Sequence, residues 1–315
     1  MNFFISFEHN YSFDEFQNSN FEKYKNKDKD KALFYGLDWI LDDKLESQKQ
    51  NNKNIKTKIF INHSIPCDLF LKNFEDILKR QEYFEVIYSS CPYTSEFLNN
   101  KLGTTKYKFA PIPTFSQDPF NKYHHLNANK TYDVVYCGGV YSKDHINMLK
   151  TIKNFKNLVI SHQKRKYLEW PFFLNYKHSL TNIQKWNYYY DSKILIGSNL
   201  LYLKDWELDN FKKISGIKKF AGYDYVISNK ILPQMKTRMI EAASTKTLML
   251  MKRDPWNVIE EWFEPNRHFI YWDNYEDLID KINEISKNFI NYTKIIENAS
   301  IRVKKYYFDN FIQQI

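Results

Sequence analysis

Between residues 132 and 272, short β-branched and aromatic runs alternate with longer segments of helical period. That alternation restricts the chain to a parallel sheet covered by helices on both faces. Tyr132-Asp133-Val134-Val135-Tyr136-Cys137 reads as a buried strand that stops at Gly138-Gly139. Residues 145–155 follow with Ile146, Leu149 and Ile152 at helical spacing, then a strand at 158–160, a helix at 180–190 and a strand at 193–196. A Lys- and Tyr-rich insertion at 203–232 interrupts the series, which resumes with a helix at 235–244 and strands at 247–251 and 269–272.

The first half carries a weaker version of the same signal. Residues 2–7, 58–62 and 84–88 are β-rich and 94–101 is helical, so this half also reads as α/β. The polar stretch 44–56, with its Gln-Lys-Gln-Asn-Asn-Lys-Asn run, is expected to be a mobile surface loop. Pro111, Pro113 and Pro119, followed by polar residues up to Lys130, mark a structureless join. The expected division is therefore an N-terminal domain at 1–126 and a C-terminal domain at 127–315. From Leu278 onward the chain reads as helical, with apolar Ile282, Ile285, Phe289 and Ile296, and this tail is expected to pack back on the first domain.

Composition narrows the class. With 315 residues, 43% hydrophobic and 18% aromatic, the chain has material for a large core and lies far from disordered sequences. It has no apolar run of membrane-spanning length, and its start turns acidic without a basic segment, so a cytoplasmic protein is expected. Cys67, Cys91 and Cys137 are widely separated and lack paired spacing, which indicates buried thiols rather than disulfides or zinc. His124-His125 has no neighbouring carboxylate or thiol to complete a metal site, and no metal is expected. Of the net charge of +9, all but one unit lies in residues 131–315, where 28 Lys+Arg face 20 Asp+Glu. Such a domain suits a phosphorylated small molecule, a nucleic acid or an anionic membrane face.

In open parallel sheets, ligands gather beyond the carboxyl ends of the strands. Gly138-Gly139 lies at such an end, where glycine admits an anion close to the backbone and the next helix offers its N-terminus, with Lys143 beside it. The turn is neither a P-loop nor a dinucleotide fingerprint, and tight packing alone is a second reading of it. Further on, Lys236, Arg238 and Glu241 mark a helix that leads into the strand at 247–251. Arg238 and Glu241 share a helix face, either as an intrahelical ion pair or as ligand-binding groups.

The run from Lys236 to Met251, with Phe263 to Leu278 after it, resembles the C-terminal half of group 1 glycosyltransferases, in particular the spore-maturation-protein-like branch. The shared pattern is an Arg, then Glu-Ala in a helix, a small-residue turn, a hydrophobic strand, and later a short strand before an acidic residue and Leu. Asp133 to Gly139 and Tyr190 to Asn199 resemble two further strands of that domain. The resemblance implies the GT-B architecture, two Rossmann-like domains facing across a cleft, and transfer of a sugar from a nucleoside-diphosphate sugar to a glycan, lipid-linked or protein acceptor, with no cofactor. It places Glu241 at the glutamate that binds ribose hydroxyls. It places Arg238, with Lys236 and Lys143, where cations neutralise the departing diphosphate. The chain departs from the family pattern at Pro233, where many relatives carry a first glutamate, and at Ser244-Thr245-Lys246, which lacks the usual turn glycine.

A catalytic base would come from strand ends of the first domain, where His63, His9 and Glu8 qualify by position. Two rivals stand beside the enzyme. One is a catalytically silent relative that binds or assembles glycans, motivated by the two departures. The other is a basic nucleic-acid-binding protein, disfavoured because the aromatics fall at packing positions and no RNA-binding motif is present. Peripheral contact with the inner face of a membrane fits a lipid-linked acceptor.

Overall fold

The computed structural model describes residues 2–5, 30–35, 44–62, 66–110, 117–161 and 174–315. Two compact units emerge, and neither is a continuous stretch: the first is Met1–Thr114 with Leu200–Met235, the second Phe115–Asn199 with Lys236–Ile315. The division expected at 126 is thereby corrected. Residues 115–126 belong with the second unit because Phe120 and Tyr123 are buried there, Phe120 lying 4.4 Å from the ring of Trp186. The same residues form a 3₁₀ turn, Asp118–Tyr123, where a structureless join was expected.

The first unit holds a five-stranded parallel sheet in sequential order, β1 (Asn2–Ile5), β2 (Lys31–Tyr35), β3 (Thr57–Asn62), β4 (Val86–Ser89) and β5 (Tyr107–Phe109). Phe60 and Phe84 stack at 4.8 Å, and Phe34 meets Phe84 edge-on at 5.2 Å. The stretch expected to be a mobile loop from residue 44 instead begins as helix α1 (Lys44–Asn51). Lys, Leu, Glu and Gln are good helix formers, and Leu45 is buried although almost nothing else marks an apolar face. Helices α2 (Phe74–Gln81) and α3 (Pro92–Leu102) follow; α3 has proline in its first turn and Gly103 at φ 61° as its left-handed cap.

The second unit opens with β6 (Tyr132–Cys137), α4 (Lys143–Thr151), β7 (Asn157–Ile160), β8 (Tyr176–Lys177), α5 (Asn182–Tyr190) and β9 (Ser192–Gly197). The chain then runs into the first unit as an antiparallel pair, β10 (Leu200–Tyr202) and β11 (Ile231–Pro233), enclosing α6 (Asp205–Lys213) and α7 (Tyr223–Asn229). This excursion is the insertion left without structure by the sequence. It is anchored by Asn210 Nδ2, which donates to the Phe70 carbonyl at 3.2 Å, and by the Phe97–Phe220 ring contact at 6.1 Å.

On its return the chain forms α8 (Arg238–Ser244), β12 (Leu248–Lys252), β13 (Ile270–Trp272), α9 (Tyr275–Lys287), α10 (Thr293–Arg302) and α11 (Phe308–Ile312). The second sheet has six parallel strands in the order β13-β12-β9-β6-β7-β8. Val134, Tyr136, Ile194, Ile196, Leu248 and Leu250 face one layer, where Met148 and Leu149 of α4 and Leu278, Ile282 and Ile285 of α9 complete the core. Helices α5 and α8 pack together against β9 and β12. The tail, expected on the first domain, packs on the second unit: Tyr307 Oη donates to Ser244 Oγ at 2.9 Å, and Arg302 Nε donates to the Trp262 carbonyl at 2.9 Å. The element that returns to the first unit is the 200–235 excursion. No helix among the described residues is long and apolar enough to cross a membrane.

Candidate functional site

The order of the second sheet reverses beside β6: β7 pairs on one side of it and β9 on the other. The carboxyl ends of β6 and β9 therefore form the topological switch point, where open α/β sheets bind ligands. Cys137, Gly138 and Gly139 leave β6 at this point, and Gly197, Ser198 and Asn199 leave β9. The amino ends of α4 and α5 lie at this side too, since each helix follows a strand of a parallel sheet. Ser142 caps α4 by accepting the His145 N–H at 3.2 Å, and Thr181 caps α5 in a box with Gln184.

Arg238, the first residue of α8, lays its guanidinium against the glycine turn. A Cβ placed on Gly138 would stand 2.5 Å from both Nη1 and Nη2, and the residue has φ +143°, a conformation that disfavours side chains. The guanidinium also sits 5.7 Å from the centre of the Tyr136 ring, whose hydroxyl donates to the Gly139 carbonyl at 2.7 Å. A Cβ on Gly139 would stand 2.1 Å from the exposed Tyr141 ring, which would have to turn aside to admit it. Gly138 is thus constrained by the cation and by its own backbone conformation, whereas the side chain met at Gly139 is an exposed one.

Cations converge on this turn. His145, buried on α4, has its pKa pushed down to about 4 by burial and by the charges of Arg238, Lys236 and Lys252, against the opposing pull of Asp144. Its ring is therefore neutral at physiological pH. Lys252 is tied at 2.7 Å to Asp144, which also accepts the Tyr275 hydroxyl at 2.6 Å. The Lys236 N–H donates to Asn199 Oδ1 at 3.2 Å. Burial raises the Cys137 thiol pKa, while Lys185 and Arg238 oppose that rise. Lys143 stands exposed at the start of α4 and makes no hydrogen bond or ion pair among the described residues.

Glu241 differs from the expectation of an open ligand-binding carboxylate. Its residue exposure is only 3%, and its Oε1 accepts both Lys185 Nζ at 2.5 Å and Trp186 Nε1 at 3.2 Å. The ion pair with Arg238 considered from sequence is thus replaced by one with Lys185 on α5. Lys185 and Trp186 escaped the sequence reading because nothing in the spacing of α5 links them to a residue 56 and 55 positions away. His145 and Lys252 were missed for a similar reason, since each lies on an element whose apolar period alone explains its presence. His63, His9 and Glu8 lie outside the described residues. No group of three His, Cys, Asp or Glu side chains suited to hold a metal occurs among the described residues.

A six-stranded parallel sheet with helices on both faces and a topological switch point beside β6 defines a Rossmann-like domain. The chain belongs to the glycosyl transferase-like family, whose model matches residues 147–315. No curated protein sequence matches it. Its fold is similar to that of TarM, with a TM-score of 0.58 and 13% identity over 90% of this chain and 53% of TarM; the chain thus spans about half of that protein. It is also similar to Anabaena HepE in complex with UDP-glucose, with a TM-score of 0.57 and 11% identity over 90% of this chain and 76% of HepE. The pneumococcal O-GlcNAc transferase GtfA in complex with UDP and GlcNAc gives a TM-score of 0.57 and 10% identity over 93% of this chain and 57% of GtfA. Both units therefore belong to the two-domain, Rossmann-like GT-B fold.

Proposed function

We propose that this protein is a glycosyltransferase of hexosyl type that moves a sugar from a nucleoside-diphosphate sugar to a glycan acceptor. The observation that carries the reading is the Arg238 guanidinium seated on the Gly138 turn at the switch point, with Lys236 nearby. In the reaction, the bond from the anomeric carbon to the diphosphate breaks, a bond to the acceptor oxygen forms, and the acceptor hydroxyl loses its proton. Negative charge grows on the diphosphate, where fixed cations lower the barrier. Arg238, Lys236 and Lys143 are assigned that work, without a metal ion. Glu241 is assigned the nucleoside's ribose hydroxyls, its carboxylate held in place by Lys185 and Trp186. Activation of the acceptor is assigned to His63, His9 or Glu8.

UDP-glucose in HepE, and UDP with GlcNAc in GtfA, make uridine nucleotides the first donors to try. The motif from Lys236 to Met251 supports the spore-maturation-protein-like branch, and a cell-surface polysaccharide made at the cytoplasmic face of the membrane is the proposed setting. The test is calorimetry and donor consumption with UDP-glucose, UDP-GlcNAc and GDP-mannose. Binding that weakens at least tenfold in Arg238→Ala, and turnover that survives EDTA, is the expected result; no binding of any sugar nucleotide overturns the reading. A second reading, a silent glycan-binding relative, is favoured by the burial of Glu241 and by Pro233. It predicts binding to glycans with no donor cleavage.

A further inference from the structure

Asn199 is fully buried at the carboxyl end of β9, at the switch point, yet its Nδ2 has no hydrogen-bond partner among the described residues. Its other amide atom is committed, because Oδ1 accepts the Lys236 N–H at 3.2 Å. That bond also fixes which way the amide faces. An N–H donor requires an oxygen opposite it, so Oδ1 cannot trade places with Nδ2 without setting two donors against each other. The result is a pair of N–H bonds, desolvated and unpaired, on an amide whose other end is hydrogen-bonded to the backbone of Lys236. Buried polar groups in folded proteins are almost always satisfied, and an exception of this kind calls for a partner that arrives later.

We propose that Asn199 is a ligand-contacting residue whose Nδ2 donates to an anionic oxygen of the diphosphate. The inference rests on the sugar-nucleotide reading given above and adds to it a neutral donor among the cations. An acceptor is what the position selects: Arg238 and Lys236 already draw negative charge to this end of the sheet, and an N–H donor there complements a phosphoryl oxygen once the atoms that cover the amide move aside. Asn199 also stands where the chain leaves the second unit and Lys236 where it returns, so their bond closes the base of the excursion and holds the amide in register.

The test uses the full chain and two probes, UDP and inorganic pyrophosphate, titrated by calorimetry. Asn199→Asp keeps an oxygen for the Lys236 N–H but replaces the donor with a negative acceptor, and it should weaken both probes by about thirtyfold or more. Asn199→Ala removes the donor without adding charge and should weaken both by about tenfold, which keeps the test open if the aspartate variant does not fold. Unchanged affinity in either folded variant, alongside weakened binding in Arg238→Ala, overturns this inference alone and leaves the orphan amide to a structural role or a bound water. Failure of the wild-type chain to bind either UDP or pyrophosphate overturns the donor reading and this inference together.

Discussion

Lys185 Nζ lies 2.5 Å from Glu241 Oε1, and the indole N–H of the next residue, Trp186, reaches the same oxygen. A carboxyl group at 3% exposure needs such partners, so the pair is a condition of folding. Removing Lys185 alone leaves a buried, uncompensated charge, and Lys185→Met should cost about 3 kcal/mol in urea unfolding. Adding Glu241→Gln to that variant should recover a large part of the loss. Equal losses in the single and double variants would show that the pair is not the source of the cost.

Gly138 gives the sharpest test of the anion site. Alanine there meets the Arg238 guanidinium and must displace it, besides adopting an unfavourable φ. Gly138→Ala should weaken UDP binding about tenfold, as the loss of one charge-assisted hydrogen bond would. Gly103→Ala serves as control, since Gly103 has positive φ but nothing within 4 Å. It should lower stability and leave affinity unchanged. Equal effects of the two variants on affinity would detach Arg238 from the ligand.

Lys130 introduces a pH dependence in stability. Its ammonium donates to the carbonyls of Tyr190 at 2.6 Å and Lys246 at 3.1 Å, and burial lowers its pKa to about 7 against the weaker pull of Asp191. The unfolded chain binds this proton up to a pH of about 10.4. Between about 7 and 10 the unfolded state therefore holds this proton more often, and the contribution of Lys130 to stability rises with pH in that window, by roughly 2–4 kcal/mol. Lys130→Met should flatten that part of the curve in denaturant midpoints measured at each pH.

Asp254 works in the opposite direction. It is buried, Oδ1 accepts the Trp256 and Val258 N–H groups, and Oδ2 has no partner among the described residues. Burial raises its pKa to about 6, against the pull of those backbone bonds. Since the folded state then holds the proton between about 4 and 6, this group's contribution falls as pH rises through that range. Asp254→Asn should be more stable than the wild type at pH 7 by roughly 1–2 kcal/mol and indistinguishable from it at pH 4. A variant less stable at both values would mean that the charge is used elsewhere.

Strands β6, β7, β9, β12 and β13 were legible because each is a buried, nearly continuous apolar run punctuated by helical period. The first half hid β2 and β5: β2 follows a long polar stretch, and β5 is only three residues long, with Lys108 at its centre. Helix α1 was hidden by its composition, since Lys, Gln and Asn mask a single buried Leu45. At the site, Gly138, Arg238 and Lys236 could be found because they are close in sequence to strand ends. Lys185, Asn199 and His145 could not. Their roles depend on the crossing of α5 and α8, on an unpaired amide and on the cations around α4, none of which has a periodic signature.

The interleaving of the two units bears on how the protein is made. As the ribosome extends the chain, β1 to β5 emerge first, yet the segment carrying Asn210 and Phe220, which seals the flank formed by Phe70 and Phe97, is still untranslated. The earliest sheet must therefore wait, incomplete, while β6 to β9 are synthesised. Maturation of the first unit ends only after Met235 emerges, so a cut near residue 114 would leave one fragment short of the excursion its unit needs, and a second fragment holding all of the second unit together with that excursion.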